Sequence, residues 1–280
     1  MISTVSQRWW RGVAVYRPTG ETIVARDYDV ALLPKDGPAK AFVLTHHYEG
    51  SYPAARVRVA LHRRDRLVGV AVFSQPCNDL ALRPLPGGAA SNLQLGRFVL
   101  LDDVPANGET WFLGRAFELL RRAGYSGVVS FSDPMPRTSL SGTVTFRGHV
   151  GVIYQAHNAV YLGRTRADAM RLLPDGRVLH SRAIAKVRKR DRGWRYVVDS
   201  LIDHGASRPA RDEDLRAWLA AVLPTVTRSV RHPGNHKYVW ALARTLKKFL
   251  PTSKTYPKFD LHETAARSMR RAADARGGRR

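Results

Sequence analysis

The chain has 280 residues, 44% of them hydrophobic, which is enough to bury a core and excludes wholesale disorder. Its 46 Lys and Arg against 23 Asp and Glu give a formal net charge of +23, which favours nucleic acid over a small neutral substrate as partner. A single cysteine excludes a disulfide framework and a cysteine zinc site, and without a signal-like or long apolar stretch we expect a cytoplasmic protein with no membrane partner.

The N-terminal part, residues 1–35, contains short alternating runs at 12–16 and 21–24 that predict strands. Its Trp9-Trp10-Arg11 run has two interpretations. The rings either form a hydrophobic lid on the core or offer a platform on which bases stack.

Residues 36–200 predict a catalytic domain in which strands and helices alternate. A helix is expected over 111–122, with Asn107 as N-cap and Gly124 as C-cap. The runs that predict strands around this helix are 56–61, 67–73, 95–101 and 127–131. This order is typical of an α/β (α+β) fold with a mixed central sheet flanked by helices.

The pattern changes beyond residue 135. Residues 135–148 predict a loop with a short hairpin, and 150–156 predict a strand or a strand-to-helix junction. A basic hairpin is expected over 184–198. Residues 205–280 predict a basic helical extension, whose helices are expected at 211–223, 236–250 and 261–276.

The positive charge is concentrated in this later part of the chain. Residues 164–280 hold 28 Lys and Arg against 11 Asp and Glu, whereas residues 1–163 hold 18 against 12. Because clustered cations mark a polyanion-binding surface, we expect DNA phosphates to be bound here. The residues expected to bind them are Lys186, Arg188, Lys189, Arg190, Arg192, Arg195, Lys237, Lys247 and Lys248. Alternatively, any one of these clusters is a solvated helix face.

Three clusters carry groups that could do chemistry. The first, 45–48, is expected where a loop leaves the first strand; the second, 128–134, is an apolar strand that ends in Ser130 and Asp133; the third is 148–156. Together they offer imidazole, phenol and carboxylate groups, which would suit a metal such as iron. Each cluster also has a structural interpretation, as a turn former, a core-edge histidine or a packed tyrosine.

The order of the motifs resembles the Mom family of Mu-like phages over about residues 40–165. The resemblance is carried by Thr45-His-His-Tyr48, Leu95-Gly-Arg97-Phe-Val-Leu100, Asn107, Gly124-Tyr-Ser-Gly-Val-Val-Ser130, Asp133-Pro134 and Gly151-Val-Ile-Tyr154-Gln-Ala156. It implies a distant relative of the GNAT acyltransferases that converts adenine in double-stranded DNA to N6-carbamoylmethyladenine (acetamidoadenine), which protects phage DNA from host restriction.

The resemblance also implies a set of site residues. Iron, Fe²⁺ or Fe³⁺, would be held by His47, Tyr48, Asp133 and Tyr154. The catalytic residues would be Asp133, Tyr154, Arg97, Ser130 and Tyr48. His46 is a further candidate, because either histidine could face the site.

The donor of the transferred group is not identified by a motif. The nearest match to an acyl-CoA phosphate loop, 121–126, falls at the end of a predicted helix, which disfavours acetyl-CoA. A carbamoylmethyl group has the atoms of glycine, so we expect a glycyl donor, with an aminoacyl-tRNA as a candidate partner. A homodimer is compatible with the sequence. The alternative functions are a CoA-dependent N-acetyltransferase on a protein or small amine, and a DNA-binding protein without enzymatic activity.

Overall fold

The computed structural model describes residues 5–10, 13–18 and 20–258, and its largest element is a seven-stranded sheet. The strands are β1 (Val5–Trp10), β2 (Val13–Pro18), β3 (Tyr28–Leu32), β4 (Ala55–Arg63), β5 (Arg66–Ser74), β6 (Asn92–Leu100), β7 (Gly127–Ser132), β8 (Arg137–Thr138), β9 (Val144–Phe146), β10 (Val160–Arg164), β11 (Asp168–Leu172), β12 (Val178–Leu179), β13 (Arg228–His232) and β14 (His236–Ala241). The helices are α1 (Asp36–His46), α2 (Gly108–Arg122), α3 (Val152–Ala156), α4 (Ser181–Lys189), α5 (Arg195–Asp203) and α6 (Leu215–Val226).

The strand order of the large sheet is β10-β14-β7-β6-β5-β4-β3. Neighbouring strands run antiparallel, except for β6 and β7, which are parallel. With α1 and α2 packed on this sheet, the predicted α/β class with a mixed sheet flanked by helices is confirmed.

The parallel strands β6 and β7 pair over only three residues, so the two strands separate in the middle of the sheet. Backbone pairing joins Asn92–Gln94 of β6 to Gly127–Val129 of β7 and then stops. One residue later, the Ser130 hydroxyl donates to the Leu95 carbonyl at 3.2 Å. A bulge in β6 follows, since Val72 of β5 pairs with Arg97 and Phe73 with Leu95. A bulge re-aims the side chains beside it, and here the re-aimed side chain is Arg97.

The predicted helix over 111–122 is confirmed as α2, and it begins at Gly108. Its apolar residues recur every three to four positions, and Phe112, Leu113 and Leu120 are fully buried in the main core. Asn107 is the N-cap, although its side-chain oxygen accepts from the Ile23 N–H at 2.7 Å rather than from the helix. Gly124, at φ +87°, follows the helix end in the left-handed conformation that glycine adopts most readily.

A separate unit is inserted between β10 and β14. It consists of the three-stranded sheet β12-β11-β13 and the helices α4, α5 and α6. These helices bury a second apolar core, which includes Val187, Leu201 and Trp218. We call residues 165–235 the insertion.

Two sequence predictions are wrong in this part of the chain. The basic hairpin expected over 184–198 is instead α4, a turn and the start of α5. The helix expected over 236–250 is instead β14 followed by a short 3-10 helix, Arg244–Phe249. The helix predicted at 211–223 is confirmed as α6, and the helix predicted at 261–276 lies outside the described residues.

The reason for the second error is burial on both faces. His236 and Tyr238–Ala241 are all buried. Tyr238 and Trp240 pack in the main core, whereas Val239 packs in a smaller apolar cluster with Leu82 and Leu85, so both faces of β14 are covered. A strand buried on both sides loses the alternation of polar and apolar residues that identifies a half-exposed strand.

At the N-terminus, β1 and β2 form an antiparallel hairpin, whereas residues 21–24 are not a strand. Trp9 and Trp10 lie in β1, and Arg11 and the helix expected over 261–276 lie outside the described residues. In the part of the chain that the structure describes, no helix has both the length and the apolar character needed to cross a bilayer.

Candidate active site

His47 and Tyr48 follow the end of α1, and not the end of a strand as expected. The Tyr48 ring stacks between His47, at 4.3 Å between centroids, and Phe146 of β9, at 4.8 Å. The guanidinium of Arg137 covers the other side of Phe146, 4.1 Å from its centroid. This stack joins the end of α1 to the loop that follows β7.

The Tyr48 hydroxyl lies 3.3 Å from Nε2 of His149. Burial raises the pKa of Tyr48 well above its usual value, so the phenol keeps its proton. Burial also lowers the pKa of His149 to about 4, so its ring is neutral near pH 7. A neutral His149 ring with its proton on Nδ1 lets Tyr48 donate to Nε2, whereas the other tautomer reverses the bond.

His47 has the opposite hydrogen-bonding role. Its Nδ1 accepts the backbone N–H of Glu49 at 3.1 Å. Burial lowers the pKa of His47 well below its usual value, and Arg97 and His149 lower it further. A neutral ring that accepts at Nδ1 carries its proton on Nε2. His47 can therefore donate a hydrogen bond from Nε2.

Asp133 follows β7 directly, and both its carboxylate oxygens are engaged. Oδ2 accepts from Arg137 at 2.8 Å, and Oδ1 accepts from the Met135 N–H at 2.8 Å and lies 2.9 Å from Nε2 of His232. Its backbone carbonyl accepts the His149 N–H at 2.8 Å. This arrangement favours Asp133 as an anchor, by which we mean a residue that holds Arg137, His232 and His149 in position, rather than as a group that moves protons.

Glu49 lies between two guanidinium groups. Its carboxylate oxygens are 3.7 Å from Arg97 and 3.8 Å from Arg137. Arg97 is held further by Ser51, whose carbonyl accepts at 2.9 Å and whose hydroxyl accepts at 2.7 Å. Two largely buried cations are thus fixed side by side, and together they could stabilise negative charge.

Tyr154 comes from α3 and approaches the site from the side of β14. Its ring packs edge-on against Tyr238 and Trp240, with centroids 5.4 and 5.5 Å apart. Burial raises the pKa of Tyr154, while a hydrogen bond with Ser130 and the charge of Arg97 act against that rise. Tyr154 is therefore a neutral phenol near pH 7, next to Ser130 and Arg97.

The predicted site residues thus come from separate segments and meet at one place. They are Tyr48, His47, Arg97, Ser130, Asp133 and Tyr154. His46 differs, since its ring packs against Phe42 at 4.7 Å between centroids, on the core side of α1.

Five further residues of the site were not among those that the sequence predicted. They are Glu49, Arg137, Phe146, His149 and His232. His149 lies inside the third motif cluster, and Glu49 adjoins the first, so proximity in sequence could have indicated both. His232 is 99 residues from Asp133, and nothing in the sequence links them.

The predicted iron ligands do not fit a metal site in this arrangement. Asp133 is already engaged by Arg137, the Met135 N–H and His232, and a neutral His47 that accepts at Nδ1 carries its proton on Nε2. The described residues contain no group of three or more His, Cys, Asp or Glu side chains placed to hold a metal ion. We therefore derive no step through iron.

The residues predicted to bind DNA fall into three places. Those from 186 to 195 lie on α4, the turn after it and the start of α5, and all but Lys186 are exposed. Lys247 and Lys248 are exposed on the short 3-10 helix. Lys237 lies in β14, where partial burial lowers its pKa. Whether these residues contact DNA stays a prediction.

Among the solved structures that match this chain are GNAT proteins. A tandem GNAT protein from the clavulanic acid biosynthesis pathway, without acetyl-CoA, has 9% identity and a TM-score of 0.41, over 77% of this chain and 99% of that chain. A GNAT family N-acetyltransferase from Escherichia coli, in complex with CoA, has 13% identity and a TM-score of 0.29, over 40% of this chain and 67% of that chain. No protein of curated function matches the sequence.

The family comparison covers most of the chain. Residues 27–258 match the model of the Mom protein family, a span that runs from β3 through the site and the insertion to the residues beyond β14. The match includes every residue placed in the site above. The chain belongs to the Mom protein family.

Proposed function

We propose that this protein modifies adenine in double-stranded DNA by adding an acyl-derived group to N6, with N6-carbamoylmethyladenine as the product. Membership of the Mom family supports a DNA-modifying or acyltransferase-like role. The observation that carries the finer proposal is the assembly of Tyr48, His149, Arg97 and Tyr154 around one place in the sheet. The net charge of +23 supports a polyanionic substrate.

Proton transfer is assigned to Tyr48 and His149. When N6 attacks an acyl carbonyl, the nitrogen becomes positively charged and must lose a proton. The Tyr48 hydroxyl can take that proton while it passes its own to Nε2 of neutral His149, 3.3 Å away. General base catalysis of this kind contributes about 10²- to 10⁴-fold to a rate.

Arg97 and Arg137 are assigned to the negative charge that develops on the carbonyl oxygen. Both are largely buried, with side chains 17% and 7% exposed, and both are fixed by hydrogen bonds or ion pairs before substrate arrives. Preorganised donors in a site with little water are the strongest stabilisers of such charge. Tyr154, a neutral phenol, is placed to protonate the leaving group.

The substrate must present N6 outside the base stack. An adenine inside a duplex cannot reach a buried phenol, so the base flips out of the helix at a cost of roughly a few kcal/mol. Phosphate contacts on the basic surface offset this cost. The exposed cations on α4 and the turn after it, such as Arg188 and Arg190, are suited to that role.

The atoms of the product suggest a glycyl donor. N6 attacks the glycyl carbonyl and the donor's leaving group departs; the glycine amine then attacks C6. The C6–N6 bond breaks, and the ring carries NH-CH2-CONH2 with the original N6 as the amide nitrogen. Feeding cells with ¹⁵N-glycine should place the label on the nitrogen attached to C6.

The proposal is tested by mass spectrometry of nucleosides from plasmid DNA in cells that express the protein. We expect a new adenine species with the wild type. Tyr48→Phe and Tyr154→Phe should each lower its rate of formation by about 100-fold or more, because each removes a proton-carrying hydroxyl.

Tyr52→Phe is the matched control, since it removes a hydroxyl that donates to Asp36 on the outer side of the domain at 3.0 Å. It should leave the modification unchanged. Unmodified DNA in cells with folded wild-type protein would refute the function. A tight complex with acetyl-CoA in calorimetry, together with unmodified DNA, would support an N-acetyltransferase instead.

A further inference from the structure

A pocket of about 290 Å³ lies in the insertion, away from the site described above. It is formed by the end of α4, the start of α5 and the loop before α6. The charged and aromatic residues that line it are Arg190, Trp194, Arg195, Asp199, Arg208 and Arg211.

Four arginines and one carboxylate, Asp199, line this pocket. None of these five side chains forms an ion pair with another described residue. Like charges gathered without counter-ions repel one another, so the pocket attracts an anion. Guanidinium groups bind phosphate oxygens in pairs through their planar fork.

The backbone of Arg190 determines how the pocket can be tested. This residue ends α4 in the left-handed conformation, at φ +51°, where glycine is the usual residue. The conformation is unfavourable for any residue with a Cβ, so glycine can replace Arg190 without added strain.

Trp194 gives the pocket an aromatic wall. Its ring packs against the second apolar core, and the guanidinium of Arg195 lies 5.3 Å from the ring centroid. Aromatic surfaces next to cations are typical of sites that follow a polynucleotide backbone. This combination favours a phosphodiester chain over a free inorganic anion.

The insertion is also joined to the candidate active site. His232, the last residue of β13, contacts Asp133 at 2.9 Å, and Arg228, the first, donates to the carbonyl of Thr138. An anion held in the pocket is therefore held by a unit that is bonded to the site.

We propose that this four-arginine pocket binds backbone phosphates of the DNA substrate and so sets the position of the duplex relative to the site. The inference rests on the proposed function for the identity of the substrate. The pocket adds Arg208 and Arg211, from the loop before α6, to the surface expected from the basic run at 186–195.

Arg190→Gly tests the pocket without a folding penalty, because glycine relieves the strained backbone while it removes the guanidinium. Arg64→Gly is the matched control: Arg64 is an exposed arginine at φ +53° in the β4–β5 turn, and the substitution removes the same charge. Affinity for a fluorescent duplex is measured by anisotropy over a range of salt concentrations. The log-log salt slope should fall by about 0.9 for each phosphate that the variant no longer neutralises.

We expect a slope lower by about one for Arg190→Gly, lower by about two for the double variant Arg208→Ala/Arg211→Ala, and unchanged for Arg64→Gly. Equal slopes for Arg190→Gly and Arg64→Gly would overturn the pocket assignment. The same titrations with unacylated tRNA form a second arm. If the pocket variants fail to bind tRNA but bind the duplex as the wild type does, the assignment to DNA is also overturned.

The two experiments distinguish failure of the pocket assignment from failure of the proposed function. If wild-type protein leaves DNA unmodified but the slopes differ as expected, the proposed function fails and the pocket stands. If adenine is modified and the slopes do not differ, the pocket fails and the function stands.

Discussion

Asp133 and Arg137 form the ion pair on which the site depends. Their side chains are only 15% and 7% exposed, and they lie 2.8 Å apart. Asp103 and Arg66 form a pair of similar length, 2.6 Å, but with side chains 37% and 64% exposed. Because the two distances are similar, a difference in stability between the two ion pairs reports mainly the difference in their burial.

We expect Asp133→Asn to lower the free energy of unfolding by about 3 kcal/mol, because it removes the nearer of the two carboxylates beside a buried guanidinium. Asp103→Asn should cost less than about 1 kcal/mol, because water screens the exposed pair. Urea unfolding of both variants measures the difference. Equal destabilisation by the two substitutions would show that Asp133 is not an anchor.

His236 makes stability sensitive to acid. It is buried in β14, its Nδ1 lies 2.7 Å from the Tyr161 hydroxyl, and burial lowers its pKa to about 4. An unfolded histidine titrates near 6.5. Between these values the unfolded chain binds more protons than the folded one, so stability must fall as the pH falls from about 6.5 to about 4.

The melting temperature should therefore drop over this pH range, and His236→Gln should make the drop less steep. Glutamine cannot be protonated but still offers an acceptor to Tyr161. Thermal unfolding in buffers across this range measures both slopes. A variant as acid-sensitive as the wild type would show that other groups cause the destabilisation.

At the scale of single residues, the motifs indicated residues that the fold brings together. Tyr48, Arg97, Ser130, Asp133 and Tyr154 were predicted and are brought together. What these residues do was not readable from the sequence. Asp133 looks like a free carboxylate until its three partners are known.

The insertion differs from the central sheet at the scale of elements. Leu201 of α5 is fully buried in the second core, whereas Leu93 of β6 is fully buried in the main core. The two cores are made of different residues. The stability of an element therefore depends mainly on the core in which its side chains are buried.

Leu201→Ala should remove about 2 to 5 kcal/mol, because it removes buried packing and leaves a cavity. We expect amide hydrogen exchange to accelerate in α4–α6 and to change little in β5. Leu93→Ala is the reciprocal control, with the larger effect in the sheet. Uniform acceleration by both variants would show that the chain opens as one unit.

Local signals identified some elements and failed for others. The β4–β5 hairpin and α2 were predicted because turn, cap and periodicity agree within a short stretch. β14 was mistaken for a helix because apolar clusters cover both its faces, and the residues of these clusters lie far from it in sequence. The basic run after 184 was mistaken for a hairpin because its apolar face, with Ile184 and Val187, is narrow.

At the scale of the whole molecule, charge is divided between the two units. The insertion holds 15 Lys and Arg against 8 Asp and Glu, and it includes the four-arginine pocket. The central sheet carries the motifs on which the resemblance to the Mom family rested. In the proposed function, the insertion binds the phosphates and the central sheet carries the residues that act on the base. The two units are in contact through His232 and Asp133.

The sequence by itself determined the α/β class and the family, because periodicity and motif order are local properties of a chain. A polyanionic partner stays a prediction from the net charge. Only the tertiary structure decided that β14 lies inside the sheet, that His149 lies within hydrogen-bond distance of Tyr48, and that Asp133 contacts His232. Each of these depends on contacts between residues about 100 positions apart, which no local pattern encodes.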